Sequence, residues 1–164
     1  YINDARLLNG VITFRASKTN ATACQIIESG DSVTTILFND VTNSPNHDVF
    51  GAFVLGEVGH GTYQIFREGI YDFQSQIIAT GAAPDTTHFD AVDSYIQILV
   101  NSTAVSFSYG QASTSQVTQY KVTTGPITLS RADVVKVQIF NGSDEDILIS
   151  EVAGHCFFAG KQLD

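Results

Sequence analysis

Side chains able to do chemistry are few in this chain, and they stand apart. The four histidines, His47, His60, His88 and His155, form no His-x-His or His-x3-His pair. Metal ligation or general-base catalysis needs such groups to converge. The run Glu28-Ser29-Gly30-Asp31-Ser32 touches a Gly-Asp-Ser esterase motif. It lacks the long α/β chain and the His/Asp partner that would activate a serine. No phosphate loop and no Gly-x-Gly-x-x-Gly occurs. The chemistry-bearing residues point to binding, not to an enzyme.

Two binding chemistries are open. Oxygen ligands for calcium, the one optional ion, are offered by Asp85 with Asp90 and Asp93, and by Asp144 and Asp146 around Glu145. A hard cation wants about six to eight oxygens. Asp90 and Asp93, three apart on a strand, face opposite sides, and an acidic turn is otherwise simply solvated. No cofactor is required. Sugar binding uses an aromatic face with hydrogen-bonding neighbours, for which Tyr63, Tyr95, Tyr109 and Tyr120 are candidates. Core packing is the competing reading of each. For an acidic sugar, Arg67 is the first-choice cation.

The net charge of −9 and eight scattered basic residues, no two adjacent, argue against nucleic acid and anionic lipid, which need a basic stripe. Charged residues are 15% of the chain, against roughly 25% in a typical soluble domain. A polar, weakly charged surface leans toward an extracellular setting. So do three Asn-x-Ser/Thr acceptors, at Asn20, Asn101 and Asn141. The chain opens at Tyr1 without an initiator methionine, as expected of a processed, secreted form. No apolar run approaches the roughly 18 to 20 residues of a membrane span. Cys24 and Cys156 are too far apart for a zinc motif. They are either bridged, with a stabilisation of roughly 4 to 5 kcal/mol from so long a loop, or two buried thiols.

Any such site must be positioned by strands. From Ile70 to Ala79, residues Tyr71, Phe73, Ser75, Ile77 and Ala79 share one face and Asp72, Gln74 and Gln76 the other, as in a half-buried strand. Residues 11–14, 34–38, 91–100, 105–109, 116–122 and 134–140 read alike. Turn clusters separate them, and Asn141-Gly142 suits a tight hairpin at positive φ. No stretch shows helical periodicity. Eight to ten short strands in 164 residues define one all-β domain over 1–164, a sandwich or jelly roll.

The spacing Gly61-x-Tyr63-x5-Gly69-x-Tyr71-x-Phe73 resembles the central signature of the C1q globular-head family, within the C1q/tumour-necrosis-factor jelly rolls. Val11 to Ser17, Ile36 to Ser44, Tyr95 to Val105, Ile127 to Gly142 and Cys156 to Leu163 resemble other family segments, in family order. Phe158 and Gly160 stand in place in the closing strand. The chain departs from the pattern in an extra stretch between Phe50 and Gly61, at Ser75 in place of an aromatic, and at Ala132-Asp133 in place of Gly-Asp. It thus resembles a divergent member of the family. The resemblance implies a ten-stranded jelly-roll β-sandwich and a tight homotrimer. It makes a Cys24–Cys156 bridge plausible, because family chain ends lie close together. It also implies a secreted recognition role, as in invertebrate C1q-like lectins of innate immunity, with carbohydrate or a cell-surface glycoconjugate as partner. A calcium-holding matrix protein and a tumour-necrosis-factor-like signalling ligand are the alternatives.

Overall fold

The computed structural model describes residues 12–18, 25–42, 46–48, 53–54, 61–81, 94–114, 117–152 and 154–163. All regular structure among them is β. The strands are β1 Thr13–Ser17, β2 Ile26–Ile27, β3 Ser32–Thr35, β4 His47–Asp48, β5 Phe53–Val54, β6 Thr62–Gln64, β7 Gly69–Gly81, β8 Ser94–Val100, β9 Thr103–Tyr109, β10 Gln111–Thr114, β11 Val117–Thr123, β12 Ile127–Leu129, β13 Val134–Asn141, β14 Ile147–Ile149 and β15 Phe157–Gln162. Segments of two or three residues beside the long strands raise the number above ten.

Two antiparallel sheets result. One runs β10-β11-β7-β15-β1-β4, with β12 and β14 also on β7 and β2 on β14; the other runs β5-β6-β13-β8-β9, with β3 on β13. The 13-residue β7 is the spine of the first sheet. One of its edges pairs with β11 and β12, the other with β15 and β14. Strand β1 pairs with β15 across its whole length.

Alternation places the core as expected along β7, with Tyr71, Phe73, Ser75, Ile77 and Ala79 all buried. Tyr63 stacks on Phe14 with ring centroids 4.0 Å apart, and Phe14 meets Phe158 edge-on at 5.0 Å. Each such ring, taken from water, contributes about 1.5–3 kcal/mol. The glycine that introduces Tyr63 is explained by packing and backbone together. Gly61 lies at φ 92°, and a Cβ there would come 2.5 Å from the carbonyl oxygen of Ile36. In the closing strand Gly160 lies between Phe14 and Phe73 in register. The sheets are cross-linked by a buried hydrogen bond of 2.6 Å between the hydroxyls of Ser94 on β8 and Tyr120 on β11.

One turn expectation and one strand expectation are revised. The positive-φ hairpin falls at Asn101-Ser102 (φ 48° and 72°), closing β8 onto β9, and not at Asn141-Gly142. Asn141 instead ends β13 as a buried residue. Its Nδ2 donates to the carbonyls of Ile27, Glu28 and Glu145, and its Oδ1 accepts from the Ser143 backbone and hydroxyl. The strand expected over 34–38 ends at Thr35. Ala132, where the resemblance expects glycine, lies at φ 76°.

Candidate recognition surface

Strand β9 is built inside out. Its residues alternate apolar and polar, yet Val105, Phe107 and Tyr109 are 41%, 61% and 53% exposed, while Ser106 and Ser108 are half-buried. The cause lies at the sheet edge. Strand β9 ends the β5–β9 sheet, and the Ser106 hydroxyl turns toward the other sheet, donating to the Thr123 carbonyl at 2.7 Å. With the serines on that side, the apolar row must face out.

Register brings further aromatics beside this row. Tyr95 on β8 lies opposite Tyr109 on β9 and Phe140 on β13; Gln97 lies opposite Phe107 and Gln138. Tyr95 stacks on Phe140 at 4.9 Å and meets Tyr109 edge-on at 5.6 Å; Phe107 meets Tyr109 edge-on at 5.8 Å. Val33, 51% exposed, extends the row beside Phe140. Next to the rings lies a line of amides, in which Gln97 Nε2 donates to Gln138 Oε1 and Gln138 Nε2 to Thr35 Oγ1, both at 3.3 Å. Four mutually packed rings with uncharged donors and acceptors alongside form one apolar, hydrogen-bonding patch. Contiguous exposed apolar surface of this kind marks interaction sites.

Of the tyrosines expected to bind sugar, Tyr95 and Tyr109 are brought together here. Tyr63 and Tyr120 are not surface residues: they are 1% and 0% exposed, and burial raises both phenol pKa values. Parity could have assigned them, since Tyr63 sits between polar Thr62 and Gln64 and Tyr120 shares a face with Val122. Sequence alone does not single out Phe107, because alternation in β9 reads as an inward apolar face, or Phe140, which shares the outer face of β13 with Lys136 and Gln138. Arg67 belongs elsewhere. Its Nε and Nη2 donate to Gln162 Oε1 on β15, at 2.9 and 2.5 Å, and its carbonyl accepts the Tyr71 hydroxyl.

The remaining expected sites separate in the same way. Asp144 is exposed, and Asp146 Oδ1 accepts the Ser29 backbone N–H at 2.7 Å. Among the described residues no three His, Cys, Asp or Glu side chains gather as for a metal ion. Asp85, Asp90, Asp93, Asn20 and Cys24 lie outside the described residues. Asn101 is exposed, with Nδ2 donating to Asp133 Oδ1. Asn141 Nδ2 is buried against three carbonyls, which a sugar there would displace. Cys156 stands as a buried free thiol hydrogen-bonded to the Ile78 backbone, and burial pushes its pKa up to about 11. Ser150 Oγ and His155 Nδ1 are 2.8 Å apart, but the same hydroxyl accepts the Val152 N–H, so the pair closes the β14–β15 turn.

No family model matches the chain, and no curated protein sequence matches it. Solved structures do match. Murine APRIL is similar over 93% of this chain and 99% of its own, at 12% identity and a TM-score of 0.56. Eiger TNF from S. frugiperda is similar over 94% and 93%, at 13% identity and a TM-score of 0.56. At such identities the likeness is one of fold. The chain has a jelly-roll fold similar to that of these two structures. Among the described residues no helix is long and apolar enough to cross a membrane.

Proposed function

We propose that the protein is a secreted recognition module that assembles as a homotrimer and binds carbohydrate, or another cell-surface glycoconjugate, through weak sites in three copies. The observation that carries this reading is the inverted strand β9, which spends Phe107 and Tyr109 on the surface beside Tyr95, Phe140 and the Gln97–Gln138 amides. Aromatic rings supply apolar contact and uncharged amides supply hydrogen bonds to hydroxyls. Three weak sites on one assembly gain through effective concentration. The fold supports the trimer.

The test is a glycan array, run with calcium and again with chelator, on protein whose mass in solution has been measured. A defined sugar class should bind, and Phe107→Ala and Tyr109→Ala should each weaken binding about tenfold or more without lowering Tm. Absence of binding by a folded trimer overturns the carbohydrate reading. Disassembly in chelator would point to a calcium-held matrix protein, and a Phe107→Ala protein that falls apart would make this patch a subunit interface. The likeness to APRIL and Eiger TNF favours a second reading, a signalling ligand. That reading requires a protein receptor whose binding enzymatic deglycosylation leaves intact.

A further inference from the structure

On the other sheet, side chains of β4, β1, β15 and β7 line an open cavity of about 450 Å³. It exists because one position is small. Across the sheet Arg15, Ala159 and Gln74 lie in register, and Thr13, Lys161 and Asp72 form the next row. Ala159 offers only a methyl between two long side chains, so the outer face dips there. The rim carries Arg15, Lys161, His47, Asp72, Gln74 and Thr13. On a chain of net charge −9, two fixed cations at one depression are a local reversal of sign.

Arg15 is held as a receptor group would be. Its guanidinium carbon lies 3.9 Å above the centre of the Phe157 ring, which fixes the plane of the fork. Its Nε is shielded from solvent and has no hydrogen-bond partner among the described residues. Burial also lowers the guanidinium pKa, and an anion would oppose that shift. Beside it, Thr13 Oγ1 and His47 Nε2 share a hydrogen bond of 3.0 Å.

We infer that this cavity binds a carboxylate-bearing sugar, of the uronic or sialic acid class, with the carboxylate on Arg15 and Lys161 and the hydroxyls on Asp72, Gln74 and Thr13. The planar arginine fork matches a carboxylate. Asp72 selects against a phosphate dianion by repulsion, yet accepts hydrogen bonds from hydroxyl groups. The volume falls within the range of small-ligand pockets, about 300–1,000 Å³. The cavity lies on a different sheet from Phe107 and Tyr109, so this site and the aromatic surface fail or stand separately.

Calorimetric titration with glucuronic acid, N-acetylneuraminic acid, glucose and inorganic phosphate tests the assignment. At least one of the acids should bind saturably, and glucose and phosphate should not. Arg15→Gln should weaken acid binding at least tenfold, and Ala159→Leu, which fills the cavity and leaves every charge in place, should abolish it. Phe107→Ala should leave it unchanged. The inference is overturned if neither acid binds, if phosphate binds as well as the acids, or if the Ala159→Leu protein binds normally. Loss of acid binding in Phe107→Ala alone would move the site to the aromatic surface and overturn it too.

Discussion

Replacing Gly160 with alanine adds one methyl group, and the surroundings dictate a severe response. The new Cβ would stand 2.5 Å from Phe73 Cδ1, 2.6 Å from Phe14 Cε1 and 2.7 Å from Phe73 Cε1. Neither ring has room to retreat. Phe14 is stacked on Tyr63 and set edge-on to Phe158, and Phe73 lies between Tyr71 and Phe158. Overpacking in a tight core costs about 1–3 kcal/mol, and contact with two confined rings at once puts this case near 3. For a chain of this size each kcal/mol moves Tm by about 2–4 °C, so a fall of about 6–12 °C is expected. Circular-dichroism melts at matched protein concentration read it, since assembly makes Tm depend on concentration. Combining Gly160→Ala with Phe73→Leu, which removes the nearest ring, should cost less than the sum of the single changes. A Gly160→Ala protein melting within 2 °C of wild type, a margin of about 1 kcal/mol or less, would refute the packing argument.

The opposite change is expected to help at Ala132, which holds φ 76° on an exposed turn. Left-handed backbone costs a Cβ-bearing residue roughly 1–2 kcal/mol, partly offset by the greater freedom of glycine when unfolded. Ala132→Gly should therefore raise Tm by about 1–4 °C, and a lower Tm would count against the assigned backbone. Asn141→Asp places a carboxylate against the carbonyls of Ile27, Glu28 and Glu145. It should destabilise by about 3 kcal/mol or more, read by urea denaturation. Stability should also fall as pH rises from 9 to 11. The folded Cys156 keeps its proton up to about pH 11 while the unfolded thiol, with its ordinary pKa near 9, gives it up, so the unfolded state gains above pH 9. The raised phenol pKa values of Tyr63 and Tyr120 act in the same direction at higher pH. A flat Tm across pH 9–11 would contradict the burial of these groups.

What the sequence disclosed depended on whether a signal was local. Period-two alternation located β7, β8, β11 and β13 and named the buried face of β7, because a pleated strand between a core and solvent sorts its side chains by parity alone. The spacing of Gly61 and Gly69 to the aromatics carried the fold. Alternation tells two faces apart without saying which one the other sheet covers. In β9 the answer depends on Ser106 reaching Thr123, a contact between sheets that no local pattern encodes. Sequence offers Arg67, between Gly61 and Gly69 and their aromatics, as a ligand cation. Its actual partner, Gln162, lies 95 residues away in sequence. Arg15 drew no notice because its setting comes from Phe157 and Ala159, near the other end of the chain.

The pairing of β1 with β15 has a consequence for the order in which the protein is made. Strand β1 leaves the ribosome well before its principal neighbour, since Phe157 lies 140 positions after Ser17. At about 5–20 residues per second, roughly 7–28 s pass before the two can meet. Through that interval Phe14 lacks the ring of Phe158 that packs against it in the finished fold. The nascent chain must carry an unclosed, apolar sheet edge, which makes it a client for holding chaperones until β15 is released. A ribosome stalled before Phe157 would leave a product able to aggregate and unable to complete its first sheet.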